Sequence, residues 1–336
     1  MDMKDDNPWQ GRRYYPISQY FRKSFGERIA KIAVSIAEAC PNRSSTDNGA
    51  NVAQSTAVAA CIFCDEWGSA AYHLEKDREL LDQIQFNKKL VNRRLKSQRF
   101  LVYFQSYTNT LDKIETLRQR FETALSEDYV AGLVVGTRPD CLPKRIFPLL
   151  QEMSERSYVM VEIGAQSFFN DQLAFLKRGH TSEKNIEAIY ALAKNSSVDI
   201  GIHLIFGMPG DSEERLIETA RIINHLPVSN VKLHNLHVLT NTPLAQMYHN
   251  GQFVPDELDA YSDKVILFLR HLSPNIAVQR LAAVASRWDE LIAPKWTAQK
   301  MQPIDYIEKK MAQGGVLQGD RYDSKHQPQR ILFAAS

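Results

Sequence analysis

The chain has 336 residues, 44% hydrophobic and 24% charged, the balance of a globule with a large core rather than of a disordered, collagenous or coiled-coil chain. Its 41 basic and 39 acidic side chains leave a net charge of +2, too small a bias to argue for a nucleic-acid partner. With no run of about 18 apolar residues, no membrane span is expected, and residues 1–30 lack the apolar stretch of a secretory leader. In chain order, β-branched-rich runs predict strands over residues 32–36, 99–104, 130–135, 158–163, 200–206 and 231–238. Between them, apolar residues at positions 111, 114, 117, 121 and 125 have helical spacing. Shorter helices are expected over 142–153 and 183–193. Another opens at Asp211-Ser212-Glu213-Glu214, a capping residue with acids in the first turn, and runs to Leu226. Gly207-Met208-Pro209-Gly210 reads as the turn before it. Strands alternating with helices imply a parallel sheet with right-handed crossovers, either doubly wound or a six-unit partial barrel.

The last third loses this rhythm. Leu258, Tyr261, Val265, Phe268 and Leu272 mark an amphipathic helix, residues 276–281 a strand, and Ile304, Ile307 and Met311 a final helix. The domain reading is an N-terminal segment at 1–28, a partial barrel at 29–245, a mainly helical extension at 246–317 and a disordered polar tail at 318–336.

Four cysteines in this length are no disulfide framework, so free or metal-bound thiols in a reducing compartment, the cytoplasm, are expected. Cys40 follows the first strand, and Cys61-Ile62-Phe63-Cys64 follows after twenty further residues. In parallel β/α folds the loop after a strand lies at the carboxyl edge of the sheet, where such folds carry chemistry. Three readings of the trio are open. Zinc wants four ligands, and only His73 is nearby as a fourth. A [4Fe–4S] cluster on three thiolates keeps one iron open. Three unrelated buried thiols are the plain alternative.

With these cysteines, the chain resembles the radical S-adenosylmethionine superfamily, in which the last two of three cysteines read Cys-x-aromatic-Cys; here Phe63 is the aromatic. The resemblance is closer to the YhcC-like members, near the Elongator-catalytic-subunit and methylthiotransferase branch, and covers residues 12–315. It is carried by Arg12-Arg13-Tyr14-Tyr15, Cys40-Pro41-Asn42-Arg43, Tyr103 to Thr110, Gly136-Thr137-Arg138-Pro139-Asp140-Cys141, Glu162 to Ser167, Lys177-Arg178-Gly179-His180 and His203 to Gly210. The sequence departs from the pattern in its long insert between the first two cysteines and in Ala59-Ala60, where glycines are usual.

The resemblance implies an α/β fold, a partial (β/α)6 TIM-like barrel of parallel strands with a mainly helical C-terminal extension. It implies a [4Fe–4S] cluster on Cys40, Cys61 and Cys64, and reductive cleavage of S-adenosylmethionine to a 5′-deoxyadenosyl radical acting on an unidentified substrate. A flavodoxin or ferredoxin would supply the electron. Gln166, Arg178 and His203 match cofactor contacts of related enzymes. Tyr107-Thr108-Asn109 stands where the family has Gly-Gly-Glu, and Phe63 and Glu162 complete the implied cofactor set. Strand period independently puts Met160, Glu162, Gly164 and Gln166 on one face, and Gly201, His203 and Ile205 on another. An acid on an otherwise apolar strand face is costly unless satisfied.

Plainer readings accompany these: a structural Glu162–Arg178 ion pair, a satisfied core His203, a resting Cys141 thiol. His234 and His237 are discounted as a metal pair because a continuous strand would point them oppositely. Lys88, Lys89, Arg93, Arg94, Lys96 and Arg99 form a basic run without acids, either a solvated helix face or a contact for RNA phosphates. Two further functions stand as alternatives: an RNA- or tRNA-base-modifying radical enzyme, and a non-catalytic iron–sulfur or zinc redox sensor. Pro294-Lys295-Trp296 is a candidate for closing the open side of the barrel.

Overall fold

The computed structural model describes residues 9–36, 40–44, 61–64, 78–285 and 288–324. His73, Ala59-Ala60 and most of the insert between Cys40 and Cys61 lie outside them.

Helix α1 (Ile17–Phe25) leads into β1 (Ile29–Val34), and a single turn, α2 (Pro41–Ser44), carries the first cysteine block. Then follow α3 (Leu80–Leu95), β2 (Arg99–Phe104), α4 (Ile114–Leu125), β3 (Val130–Thr137), α5 (Ile146–Arg156), β4 (Tyr158–Gln166), α6 (Asn170–Phe175), α7 (Ser182–Asn195), β5 (Asp199–Phe206), α8 (Glu213–His225) and β6 (Asn230–Asn235). The extension adds β7 (Val238–Leu239), α9 (Pro243–His249), α10 (Leu258–His271), β8 (Ala277–Arg280), β9 (Leu291–Ala293) and α11 (Gln302–Gln313).

Seven strands form one parallel sheet in the order β1-β2-β3-β4-β5-β6-β8. The fold is the expected curled half-barrel with one more strand than six units supply. That strand is the run expected at 276–281, which the extension contributes. The sheet curls until its edges approach: Lys31 Nζ on β1 donates to Gln279 Oε1 on β8 at 2.6 Å. Several boundaries move, two of them with consequences for the site. The first strand begins at Ile29 rather than 32, and the sixth ends at Asn235, after which β7 turns away to pair antiparallel with β9.

All eight residues of β3 are buried, as expected of a parallel strand covered on both faces. One side packs on the outer helices in the main core, which includes Phe104, Phe121, Leu133, Ile202 and Phe268. The other faces the barrel interior, where α1 plugs the amino end with Phe21 against Leu101, Ala131 and Met160. Gly132 is required at the β2–β3 bulge, because a Cβ there would lie 2.0 Å from the Tyr158 carbonyl oxygen.

Ser212 caps α8, accepting from Arg215 N at 3.4 Å. Asp211 lies before the helix and instead accepts from the Gly207 and Met208 backbone N–H groups at 2.6 and 3.1 Å, fixing the expected turn. Gln318, where the polar tail is expected to begin, is 3% exposed, and its Nε2 donates to the Ser273 and Ile276 carbonyls. Arg270 pairs with Asp320 at 2.9 Å, so the packed chain continues past the expected boundary. Trp296 is buried against Tyr261 and donates to the Asp256 carbonyl at 3.1 Å, which places its ring in the core rather than over the barrel opening. No helix among the described residues is long and apolar enough to cross a membrane.

Candidate active site

Along β4 the interior side chains climb two residues at a time, about 7 Å per step, from Met160 through Glu162 to Gly164. The interior is therefore layered. At the amino end it is apolar. In the middle sits a charged layer, and above it a cavity of about 500 Å³ opens at the carboxyl edge.

The middle layer centres on Glu162, which is fully buried. Its carboxylate pairs with Lys31, with Lys232 at 3.2 Å, and with His203 Nε2 at 2.6 Å. Burial pushes this carboxyl up, but Lys232, Lys31 and His203 outweigh it and hold it well below the usual range. Burial and Lys232 pull the His203 imidazole down to about 4 despite Glu162, so it is neutral and its Nε2–H donates. Lys232 also donates to the Tyr103 hydroxyl at 2.9 Å.

One wall of the cavity holds the thiols. Cys40, Cys61, Phe63 and Cys64 line it, and none of the four cysteines is in a disulfide. The Cys61–Cys64 turn closes on its own 3.0 Å backbone bond. It is strapped at both sides by Ile62 N to the Leu176 carbonyl (3.2 Å) and Leu244 N to the Ile62 carbonyl (3.0 Å). Ile62 is buried with Leu176, Ile205, Leu236 and Leu244, an apolar seat with Phe63 at its margin.

Arg178 donates from Nη1 to Cys61 Sγ at 3.3 Å and from Nη2 to the Gly164 carbonyl at 2.9 Å. Asn42 Nδ2 reaches Cys61 Sγ at 3.4 Å and the Lys177 and Arg178 carbonyls at 3.0 Å. Arg138 Nη2 holds the Arg178 carbonyl at 2.6 Å, and Asp140 fixes Arg138 at 2.8 Å. A hydrogen bond with Cys64, then Arg178 and Arg138, bring the Cys61 thiol down to about 4 against its burial. Burial and Asp140 push the Cys141 thiol up to about 11; it sits off the cavity wall, as a resting thiol should.

The residues fit an anionic metal–thiolate group. Arg178 Nε and Arg138 Nη1 are buried with no hydrogen-bond partner, and buried donors of this kind call for an acceptor. Thiolate donors behind two guanidiniums suit a soft, sulfur-bound metal centre. Among the described residues, no three His, Cys, Asp or Glu side chains are drawn close enough to enclose a metal ion. The thiols share a wall without a preformed cage.

The other residues singled out in the sequence divide. Tyr107, Glu162, Gln166, Arg178 and His203 line the cavity. Tyr107 and Gln166 do so from left-handed backbone, φ +55° and +68°. Thr108 and Asn109 are buried off the wall: Asn109 Nδ2 clamps the Phe104, Ser106 and Gly136 carbonyls at 3.0 Å, fixing the loop that presents Tyr107. The structural Glu162–Arg178 pair is not found; each binds other partners. His234 and His237 both line the cavity, because β6 stops at Asn235 and the continuous-strand argument against them fails. Asn42, Arg138 and Arg280 are site residues that periodicity did not single out. Asn42 and Arg138 stood only within the blocks that carry the resemblance, with no role of their own, and Arg280 read as an ordinary charge.

The Radical SAM superfamily matches residues 57–223 of this chain, and the Radical_SAM C-terminal domain matches residues 228–313. The uncharacterized protein MJ0486 of Methanocaldococcus jannaschii is 32% identical over 305 residues, 90% of this chain and 90% of its own. Protein YhcC of Escherichia coli is 29% identical over 295 residues, 88% of this chain and 91% of its own. Among solved structures, the archaeal Methanocaldococcus infernus Elp3 superposes with a TM-score of 0.60 at 18% identity. It covers 86% of this chain, which spans 64% of that one. The thiol turn, the half-barrel and these matches agree: the chain belongs to the radical SAM superfamily, among its YhcC-like members, and is a radical SAM enzyme.

Proposed function

We propose that Cys40, Cys61 and Cys64 hold a [4Fe–4S] cluster at the carboxyl edge of the half-barrel and that S-adenosylmethionine binds beside it. The observation that carries this reading is the Cys61 thiol, held by Arg178 Nη1 at 3.3 Å beside two buried guanidiniums with unpartnered N–H groups. With an electron from a flavodoxin or ferredoxin, the bound pair supplies reductive cleavage of a sulfonium C–S bond and a 5′-deoxyadenosyl radical that takes a hydrogen atom from substrate.

The protein's part is to hold and orient. Arg178, anchored on the Gly164 carbonyl, presents its free Nε–H to a carboxylate or sulfide. Gly164 keeps this space open: a Cβ there would meet Gln166 Nε2 at 2.9 Å and Arg178 Nη2 at 3.3 Å. Gln166 and Tyr107 offer polar edges to the cofactor, and Phe63 an apolar face that excludes water. Glu162 is saturated by its own cations, so it positions His203 rather than meeting the cofactor. The RNA-base-modifying alternative draws nothing from the basic run, which occupies the second half of α3 and the start of β2. That is the amino edge of the sheet, opposite the cavity.

Anaerobic reconstitution of the full chain tests the reading. A reduced-cluster resonance that changes when S-adenosylmethionine is added, with 5′-deoxyadenosine released on reduction, is expected. A resonance indifferent to the cofactor, or protein holding zinc instead of iron, overturns it in favour of a structural or redox-sensing metal protein.

A further inference from the structure

The wall of the cavity opposite the thiols is built from the ends of β6 and β8, and its chemistry differs from everything used above. Between Val231–Lys232 of β6 and Val278–Arg280 of β8 the register slips by one residue. An extra residue on one strand turns two successive side chains toward the same side. Gln279 therefore reaches Lys31 in the middle layer while Arg280 also lines the cavity.

Arg280 donates to the Leu233 carbonyl at 3.3 Å and lies 2.7 Å from His234 Nδ1, and it has no carboxylate partner among the described residues. Burial and its cationic neighbours hold the His234 imidazole well below its usual value, so it adds no charge to answer Arg280. Glu162 is the one carboxylate among the described lining residues, and Lys31, Lys232 and His203 already occupy it. Beside Arg280, Asn235 is 5% exposed. Its Oδ1 accepts from Ala283 N at 2.8 Å, which fixes the amide so that Nδ2 donates, and Nδ2 has no partner. Lys300 brings a further ammonium to the same cavity from the extension. A guanidinium with no carboxylate partner beside a buried amide N–H that lacks an acceptor is costly in an empty site and favourable against an anion.

We propose that the β6–β8 wall is a recognition site for an oxyanion, a carboxylate or a phosphate, carried by the substrate of this enzyme and received by Arg280, Asn235 Nδ2 and Lys300. The proposal rests on the radical SAM reading for what lies across the cavity. There, Arg178 and the thiols take the cofactor, which leaves the β6–β8 donors for a second, acidic molecule. A planar guanidinium fork matches both oxyanions, and a small acid fits a cavity of this size.

The test is calorimetric titration of the anaerobically reconstituted full chain, with saturating S-adenosylmethionine present, using inorganic phosphate and acetate as separate probes. At least one probe is expected to bind the native chain. Arg280→Gln should weaken it about tenfold or more, as for loss of a charge-assisted contact, and Lys300→Ala a few-fold. Iron content and S-adenosylmethionine affinity should stay unchanged in both. Phosphate bound without acetate assigns a phosphorylated substrate, and the reverse a carboxylic acid. Native chain that binds neither probe up to about 10 mM overturns the proposal. So does Arg280→Gln if it weakens S-adenosylmethionine and spares the probe, because Arg280 then serves the cofactor. If Arg280→Gln does not fold, the native titration and Lys300→Ala decide alone. Reconstitution that loads zinc instead of iron while the probe still binds leaves this site standing and removes the cluster reading instead.

Discussion

The two walls of the cavity are built in different ways. The thiol wall is a short contiguous motif strapped by backbone hydrogen bonds, its donors gathered by loops after β1, β3 and β4. The opposite wall is assembled from strand ends 45 residues apart, Asn235 and Arg280, joined by a register slip. Between them the Glu162 layer is already satisfied by its own cations. A motif wall tolerates changes in its surroundings and fails when a ligand is lost; an assembled wall depends on how its strands pair.

Substitutions break the comparison at different strengths. Cys64→Ala is expected to have the largest effect, loss of cluster iron and of all 5′-deoxyadenosine release, while Cys141→Ala keeps both. Iron analysis of the two reconstituted variants checks this, and equal iron contents would contradict it. Next comes Glu162→Gln, which leaves the half-buried Lys31 and Lys232 without their carboxylate and should cost about 3 kcal/mol in urea unfolding.

That variant also carries a pH signature. The Glu162 carboxyl is held well below its unfolded value of about 4.3, so in the interval between them the unfolded chain binds more protons than the folded one. The stabilisation is complete above about pH 5 and is lost as pH falls through the folded value. Unfolding midpoints measured down the acid limb should fall less steeply for Glu162→Gln than for the native chain.

Gly164→Ala is expected to be milder. Its Cβ crowds Gln166 Nε2 and Arg178 Nη2, both side-chain ends, so S-adenosylmethionine affinity should fall several-fold with little change in stability. Equilibrium binding to the reconstituted variant reads this out. The smallest effect belongs to Lys89→Glu, Arg93→Glu and Arg94→Glu, exposed on α3 at the far edge of the sheet. Each should change stability by less than about 0.5 kcal/mol and leave 5′-deoxyadenosine release as it was. A marked loss of activity would reopen the RNA reading.

Much of this was legible in the residues. The cysteine spacing, the strand–helix alternation and the period-two placement of Glu162, Gly164 and Gln166 follow from local rules, since each needs only a few neighbouring residues to be seen. Other features escaped. That the Asn109 side chain is spent on the Phe104, Ser106 and Gly136 carbonyls has no mark in the local pattern. His234 and His237 read as a strand pair pointing apart, yet the strand ends between them.

The sequence by itself determined the parallel α/β architecture and the thiol turn, because hydrophobic period and motif spacing are properties of short stretches. Only the tertiary structure decided that Glu162 is spent on Lys31 and Lys232, that a seventh strand joins the sheet, and that Arg280 faces the cavity. Those outcomes depend on sheet curl and on a one-residue slip between strands nearly fifty positions apart, and long-range pairing of that kind leaves no local trace in the chain.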